Sequence, residues 1–405
     1  MARSVLEPIM RGLVSAAACV VMGQAALAQD AASVARLAQP GAVDGFQGNS
    51  DAFIWQHFVK FTAPASPSQP SPVVFETWAS DADTFSQTPR WPAGDASQTR
   101  SFQTSALLLA KTQFAAPSDA RDLRSVAISV PCKAPGNAAV GGFPTHGTPT
   151  PCIAEEVRRN RPQFDYIVTN KLNTQAGLAA AYTKAFKIEM PLDAISVKVD
   201  WVPVPFLLQW LPQLRDADNV RRLYHTTISN QQEYALLSMH VSSRQNPNWV
   251  WGTFEHQFNP GRCDSIGCSD TFGAVNRTVL PNKDAINTQY GACPKTPELT
   301  SLMRAAGLSQ VWENYCLKST QVDYTAADGT PYVLGNSVIE GIVGNGTIPA
   351  SSCITCHSYA SFGPNGKTPG SAIAMLPFNP SGRTIPAALE GARQFDFMWG
   401  VLLAP

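Results

Sequence analysis

Prolines number 32 and glycines 28 in this chain of 405 residues. Each proline removes a backbone donor and breaks a helix interior, and each glycine loosens one. With the low charge fraction, this composition argues against a coiled coil or a helical solenoid, and no repeat at a fixed period is present. With 44% hydrophobic and 15% charged residues, the chain is too apolar for intrinsic disorder and long enough for more than one domain. Thirty basic side chains balance thirty acidic ones, with no basic block to grip a nucleic-acid backbone. Beyond the first thirty residues no apolar run reaches the roughly 18–20 residues of a membrane-spanning helix.

The N-terminus predicts export. Arg3 and Arg11 precede the apolar stretch Leu13 to Met22, and Ala26-Leu27-Ala28 supplies small residues before Gln29, the order of a secretory signal peptide cleaved near Ala28. Lipidation at Cys19 is a weaker alternative, because Ala16 stands where a branched apolar residue belongs. Residues 1–28 are set aside, and the mature protein is expected in the periplasm, where cysteines oxidise. Cys132, Cys152, Cys263, Cys268, Cys293 and Cys316 pair by proximity as 132–152, 263–268 and 293–316, among 15 possible pairings.

The patterning over residues 29–330 predicts an α+β scaffold with a mostly antiparallel sheet. Phe53, Ile54, His57, Phe58 and Phe61 share one helical face after Ser50, a candidate cap. Pro64 to Pro72 and Pro131 to Pro151 are loop-like. Glu155 to Tyr182 reads as helical stretches interrupted at Pro162. Ile195, Val197, Val199 and Trp201 alternate with Ser196, Lys198 and Asp200, the period of a half-buried strand. Tyr234 to Val241 and Trp249 to His256 are strand candidates and hairpin partners; in the second, Glu255 and His256 fall on opposite faces. Thr296-Pro297-Glu298 opens a helix with Leu299, Leu302, Met303 and Ala306 inward and Gly307 as its stop.

Chemistry concentrates near the C-terminus, in Cys353-Ile354-Thr355-Cys356-His357. Cys-x-x-Cys-His is the attachment sequence for c-type haem: two thiols form thioethers with the porphyrin, and the adjacent imidazole reaches the iron. Cys353 and Cys356 are the expected tethers of one covalent haem c, and His357 its proximal ligand. A disulfide, a thioredoxin-like dithiol and a zinc site are the alternatives. No Gly-x-Gly-x-x-Gly at a strand-to-helix turn, P-loop or Gly-x-Ser-x-Gly accompanies the motif.

These five residues resemble the haem site of the c-type cytochromes. The resemblance implies a helix before the motif, here Asn336 to Glu340, and a terminal helix after it, here Pro386 to Leu403. Residues 331–405 would thus be a small, mainly helical haem segment. It also implies a methionine-bearing loop between them, which makes Met375 the distal iron candidate. His256, His240 and an open sixth position are rivals, and Met398 reads as core. The segment Trp249 to His256 is also similar to one found in poorly characterised exported proteins carrying a C-terminal Cys-x-x-Cys-His. One-electron transfer with redox partner proteins is the expected function. A peroxidase- or oxygenase-like haem enzyme with a substrate pocket in the large N-terminal part, and a haem sensor, are the alternatives.

Overall fold

The computed structural model describes residues 36–37, 48–66, 69–92, 153–229, 231–264, 266–282, 288–338, 340, 351–375 and 381–405. The expected signal peptide, the expected Cys132–Cys152 pairing and the loop read over Pro131 to Pro151 lie outside these residues. The main elements are α1 (Ser50–Thr62), β1 (Ala79–Ser80), β2 (Ala154–Arg159), α2 (Arg161–Thr169), α3 (Gln175–Thr183), β3 (Ile195–Pro203) and α4 (Val204–Trp210). They continue with α5 (Ala217–Leu223), β4 (Thr226–Ser229), β5 (Gln232–Ser243), β6 (Val250–His256), α6 (Pro297–Ala305), β7 (Tyr315–Gln321) and α7 (Cys353–Ser358).

The strands form one sheet in the order β7-β6-β5-β3-β2-β1, with β4 paired to β5. Every pairing in it is antiparallel, as the α+β expectation requires. β5 and β6 are the expected hairpin partners, registered Met239 to Phe254 and His240 to Thr253.

Because side chains alternate across a strand, the sheet has two unlike faces. Val197, Val199, Trp201, Met239, Val241, Val250, Phe254 and Leu317 are buried on the first, against Ile54, Phe58 and Phe61 of α1 and Leu299 and Met303 of α6. Each such side chain contributes roughly 1.5–3 kcal/mol by leaving water. Trp55 is also buried there and donates through Nε1 to Asp270 Oδ2 at 2.9 Å. α1 is capped by Asn49, not Ser50: the Asn49 side chain accepts from the Asp51 and Ala52 amides, leaving Ser50 Oγ to meet Thr320 Oγ1 at 2.7 Å.

Gly252 sets how closely α1 lies on the sheet. A Cβ at this position would come within 2.6 Å of Ile54 Cγ2, so Gly252→Ala is expected to destabilise the fold by about 1–3 kcal/mol through overpacking. The midpoint of urea unfolding checks this; an unchanged midpoint would mean that the helix shifts freely.

The second face is polar. It carries Glu155, Val157 and Arg159 from β2, Ser196, Lys198 and Asp200 from β3, Ser238, His240 and Ser242 from β5, and Trp251, Thr253 and Glu255 from β6. This face is roofed by the chain after residue 330, which shares an apolar cluster with the scaffold: Leu334, Cys353, Ile354, Phe362, Phe395, Phe397 and Val401 pack with Phe85, Ile167, Leu178, Met190, Trp249 and Trp251.

Several local expectations are corrected. Pro64–Ser66 pairs antiparallel with Gln69–Val73 instead of forming a loop; a short ladder outside the main sheet tolerates prolines whose missing donors are not needed. Residues 154–159 form a strand, and Pro162 opens α2 instead of interrupting a helix, with the Asn160 side chain capping the Gln163 amide. α6 starts and stops as expected, its cap Thr296 accepting from the Leu299 amide and Gly307 at φ +71°, yet Leu302 is 37% exposed.

The terminal helix expected over Pro386 to Leu403 is absent. Short 3-10 turns at Pro386–Leu389 and Trp399–Leu403 flank a strand, Arg393–Gln394, paired with Ser361–Phe362. Gly391 ends the first turn at φ +70°, and Asp396 and Phe397 take left-handed backbone angles. The Asp396 carboxylate fixes them by accepting from Met190 N, Arg244 Nε and Trp249 Nε1. Asn336–Val338 likewise passes through a turn, with Glu255 accepting from the Ser337 amide at 2.9 Å. Cys263–Cys268 and Cys293–Cys316 are disulfides, as proximity predicts. Among the described residues no helix is long and apolar enough to cross a membrane.

Candidate functional site

The motif folds as α7. Its cap is Ser352, whose Oγ accepts from the Thr355 amide and from Gln321 Nε2 at 2.8 Å. Gln321 Oε1 in turn accepts from the Ile354 amide at 3.2 Å, so the side chain at the end of β7 clamps the start of α7. Thr355 Oγ1 donates to Gly382 O at 2.6 Å, and Trp399 Nε1 donates to Cys356 O at 3.1 Å. These bonds occupy backbone groups that a helix terminus leaves unpaired.

Cys353, Cys356 and His357 line one cleft between the roof and the polar sheet face. The floor is Glu155, Val157, Arg159, Ser196, Lys198, His240, Ser242 and Trp251; Met398 and the Trp399–Leu403 turn complete the wall.

His357 Nδ1 lies 2.6 Å from Phe397 O. A carbonyl only accepts, so Nδ1 carries the proton, and in the neutral ring Nε2 is the acceptor nitrogen. The left-handed Phe397 backbone presents that carbonyl, and Trp251 lies against the ring with centroids 4.5 Å apart.

Both thiols are unbridged, Cys353 buried and Cys356 half-buried. Burial pushes the Cys353 thiol well above its ordinary pKa, helped by the Glu340 carboxylate and Cys356. A dithiol redox pair needs the opposite, a thiolate stabilised at the helix start. Among the described residues no group of three or more His, Cys, Asp and Glu is placed to hold a metal ion.

The distal candidates are dispersed. Met375 follows a short helix, Gly370–Ile373, and packs half-buried in the cluster of Tyr359, Ala372, Ile373, Cys356 and Trp399; it is not part of the cleft lining. Met398 lines the cleft, its sulfur accepting from Gln163 Nε2 at 2.7 Å. His240 also lines it, with Nε2 2.9 Å from Asn336 Nδ2. His256 lies elsewhere, stacked on Tyr224 at 3.5 Å between ring centroids, with Nε2 3.0 Å from Leu223 O and Nδ1 accepting from the Phe258 amide. Both its nitrogens serve the core. Glu255 faces away from it, toward Lys318 and Ser337, as strand alternation predicts.

Sequence reasoning missed the charged floor. Lys198 Nζ meets Glu155 Oε2 at 2.6 Å, and the nearby Asp200 carboxylate accepts from Ser238 Oγ. Alternation placed Ser196, Lys198 and Asp200 on one face but held no sign that a roof would cover it. Comparison with family models, with curated proteins and with solved structures finds no match to this chain.

Proposed function

We propose that the chain is an exported, periplasmic mono-haem c-type cytochrome that transfers single electrons between redox partner proteins. The observation that carries this reading is the set of two unbridged thiols and an imidazole held by a backbone carbonyl at Nδ1, all facing one cleft from one turn of helix. The two disulfides fit an oxidising compartment. Cys353 and Cys356 hold the haem through thioethers, and His357 offers Nε2 to the iron. The bound haem supplies one-electron cycling between ferric and ferrous iron. The chain's own part would be to fix the imidazole through Phe397 O, to pack Trp251 against its ring, and to set the field in the cleft through Lys198 and Glu155.

The charged floor of the cleft favours one second reading, a peroxidase- or oxygenase-like haem enzyme with substrate bound over the floor. Protein expressed with the c-type maturation machinery and digested with trypsin provides the test. The peptide containing Cys353 and Cys356 is expected to carry one haem, read by mass and by haem stain under denaturing conditions. The same peptide free of haem, with its thiols bridged or alkylatable, overturns the proposal. The ferric spectrum then separates the two readings: a six-coordinate low-spin form supports the carrier, and a high-spin form reacting rapidly with peroxide supports the enzyme.

A further inference from the structure

The floor of the cleft gathers ionisable groups from neighbouring strands under a roof. Asp200 is buried at the centre of β3. Its opposite number on β2 is Glu155, and on β5 it is Ser238. Lys198, on the same face of β3, pairs with Glu155 at 2.6 Å and stands opposite His240. From the roof side comes Glu340, its Oε2 accepting from the Asn336 amide at 2.7 Å and lying 3.8 Å from His240 Nε2. Farther along the face, Glu255 is matched by Lys318 at 3.3 Å. Around Asp200 there are thus three carboxyl groups, on Glu155, Asp200 and Glu340, facing one ammonium group, Lys198, and one imidazole, His240.

Three close carboxylates cannot all stay ionised against one buried cation. Lys198 is committed to Glu155, whereas Asp200 is the carboxyl with the least exposure of the three. Burial first, and the Glu155 charge second, raise the Asp200 carboxyl well above its usual range, against the opposing pull of Lys198 and the Ser238 hydroxyl.

We infer that Asp200 is a proton-binding site buried beside Glu155 of the cleft floor, coupled to the charge of a haem iron in the cleft. This rests on the haem reading proposed above. When a redox partner protein delivers one electron and the iron passes from ferric to ferrous, one positive charge is lost from the cleft, and one proton from solvent is bound by the Asp200 carboxylate. Reoxidation by the acceptor protein returns the electron to the partner and the proton to solvent. The chain therefore couples an electron to a proton between the pH at which Asp200 ionises in the ferric state and the higher pH at which it ionises in the ferrous state. Below that window the carboxyl is already protonated and the coupling is absent.

Two measurements test the inference. In the infrared spectrum of the whole holoprotein, a protonated-carboxyl band is expected at neutral pH in the ferrous form and lost in Asp200→Asn, which is close in shape to the neutral acid. This readout is independent of electron-transfer activity. In redox titrations, the reduction potential is expected to fall as pH rises through the ionisation of Asp200, to lose that fall in Asp200→Asn, and in Glu155→Gln to begin its fall at lower pH. A potential independent of pH in the native protein, or the same slope in native protein and Asp200→Asn, overturns the coupling while leaving the cytochrome assignment intact. If Asp200→Asn does not fold, Glu155→Gln decides: an unmoved window overturns the inference. Absence of attached haem overturns both proposals together, and shows as a haem-free peptide before any potential is measured.

Discussion

Replacing Cys353 and Cys356 together with alanine is expected to abolish covalent haem completely, leaving a polypeptide of unmodified mass. The chemistry permits no partial result: each tether is a carbon–sulfur bond, and alanine has no atom with which to form one. His357→Ala separates the two roles in the motif. Both thiols remain, so haem is expected still to attach and to survive denaturation, while the Nε2 proposed to meet the iron is lost and the spectrum should depart from that of the native protein. The Phe397 carbonyl, 2.6 Å from Nδ1 in the native protein, then loses its partner at a cost of about 1–3 kcal/mol if no water replaces it. Haem remaining bound through denaturation in the double alanine variant would falsify the tether assignment.

Acid is expected to weaken the fold through His256, far from the motif. Burial lowers this imidazole to about 3 from its usual 6.5. Its Nδ1 accepts from the Phe258 amide, so adding a proton there sets two donors against each other. A group whose folded pKa lies below its unfolded value contributes stability that is present above the unfolded pKa and lost as pH falls toward the folded one. The loss therefore begins below about pH 6.5. It reaches about 2 kcal/mol by about pH 5 and about 4 kcal/mol near about pH 3.

Asp270 works in the opposite direction. Burial raises it to about 6, so its protonation on acidification favours the folded state and offsets part of the loss. Comparing native protein with His256→Gln isolates the histidine contribution. Denaturation midpoints followed from neutral to acid pH should converge, the variant being the less sensitive of the two. Parallel curves would assign the acid response to other groups.

What the sequence discloses depends on whether local pattern or distant bonds decide a segment. Ile195 to Trp201 was legible because its alternating partners settle into the two faces that period two predicts. The helix from Pro297 was legible because its cap, first proline and stopping glycine all act locally. Residues 154–159 were not, since Glu156 and Arg158 occupy core-facing positions as a buried ion pair at 2.5 Å, and charge there conceals the strand period. The tail was not, because its path is held by Asp396 reaching back to Met190, Arg244 and Trp249. At the candidate site the five motif residues were evident, while the floor that faces them becomes visible only once the roof is in place.

The first cysteine of the motif is 9% exposed, and its helix start is gripped by Gln321. A lyase that joins porphyrin to protein has no approach to a sulfur so enclosed. On the cytochrome reading proposed above, biogenesis has an order: haem is joined to the tail while it is still undocked, and closure over the strands follows.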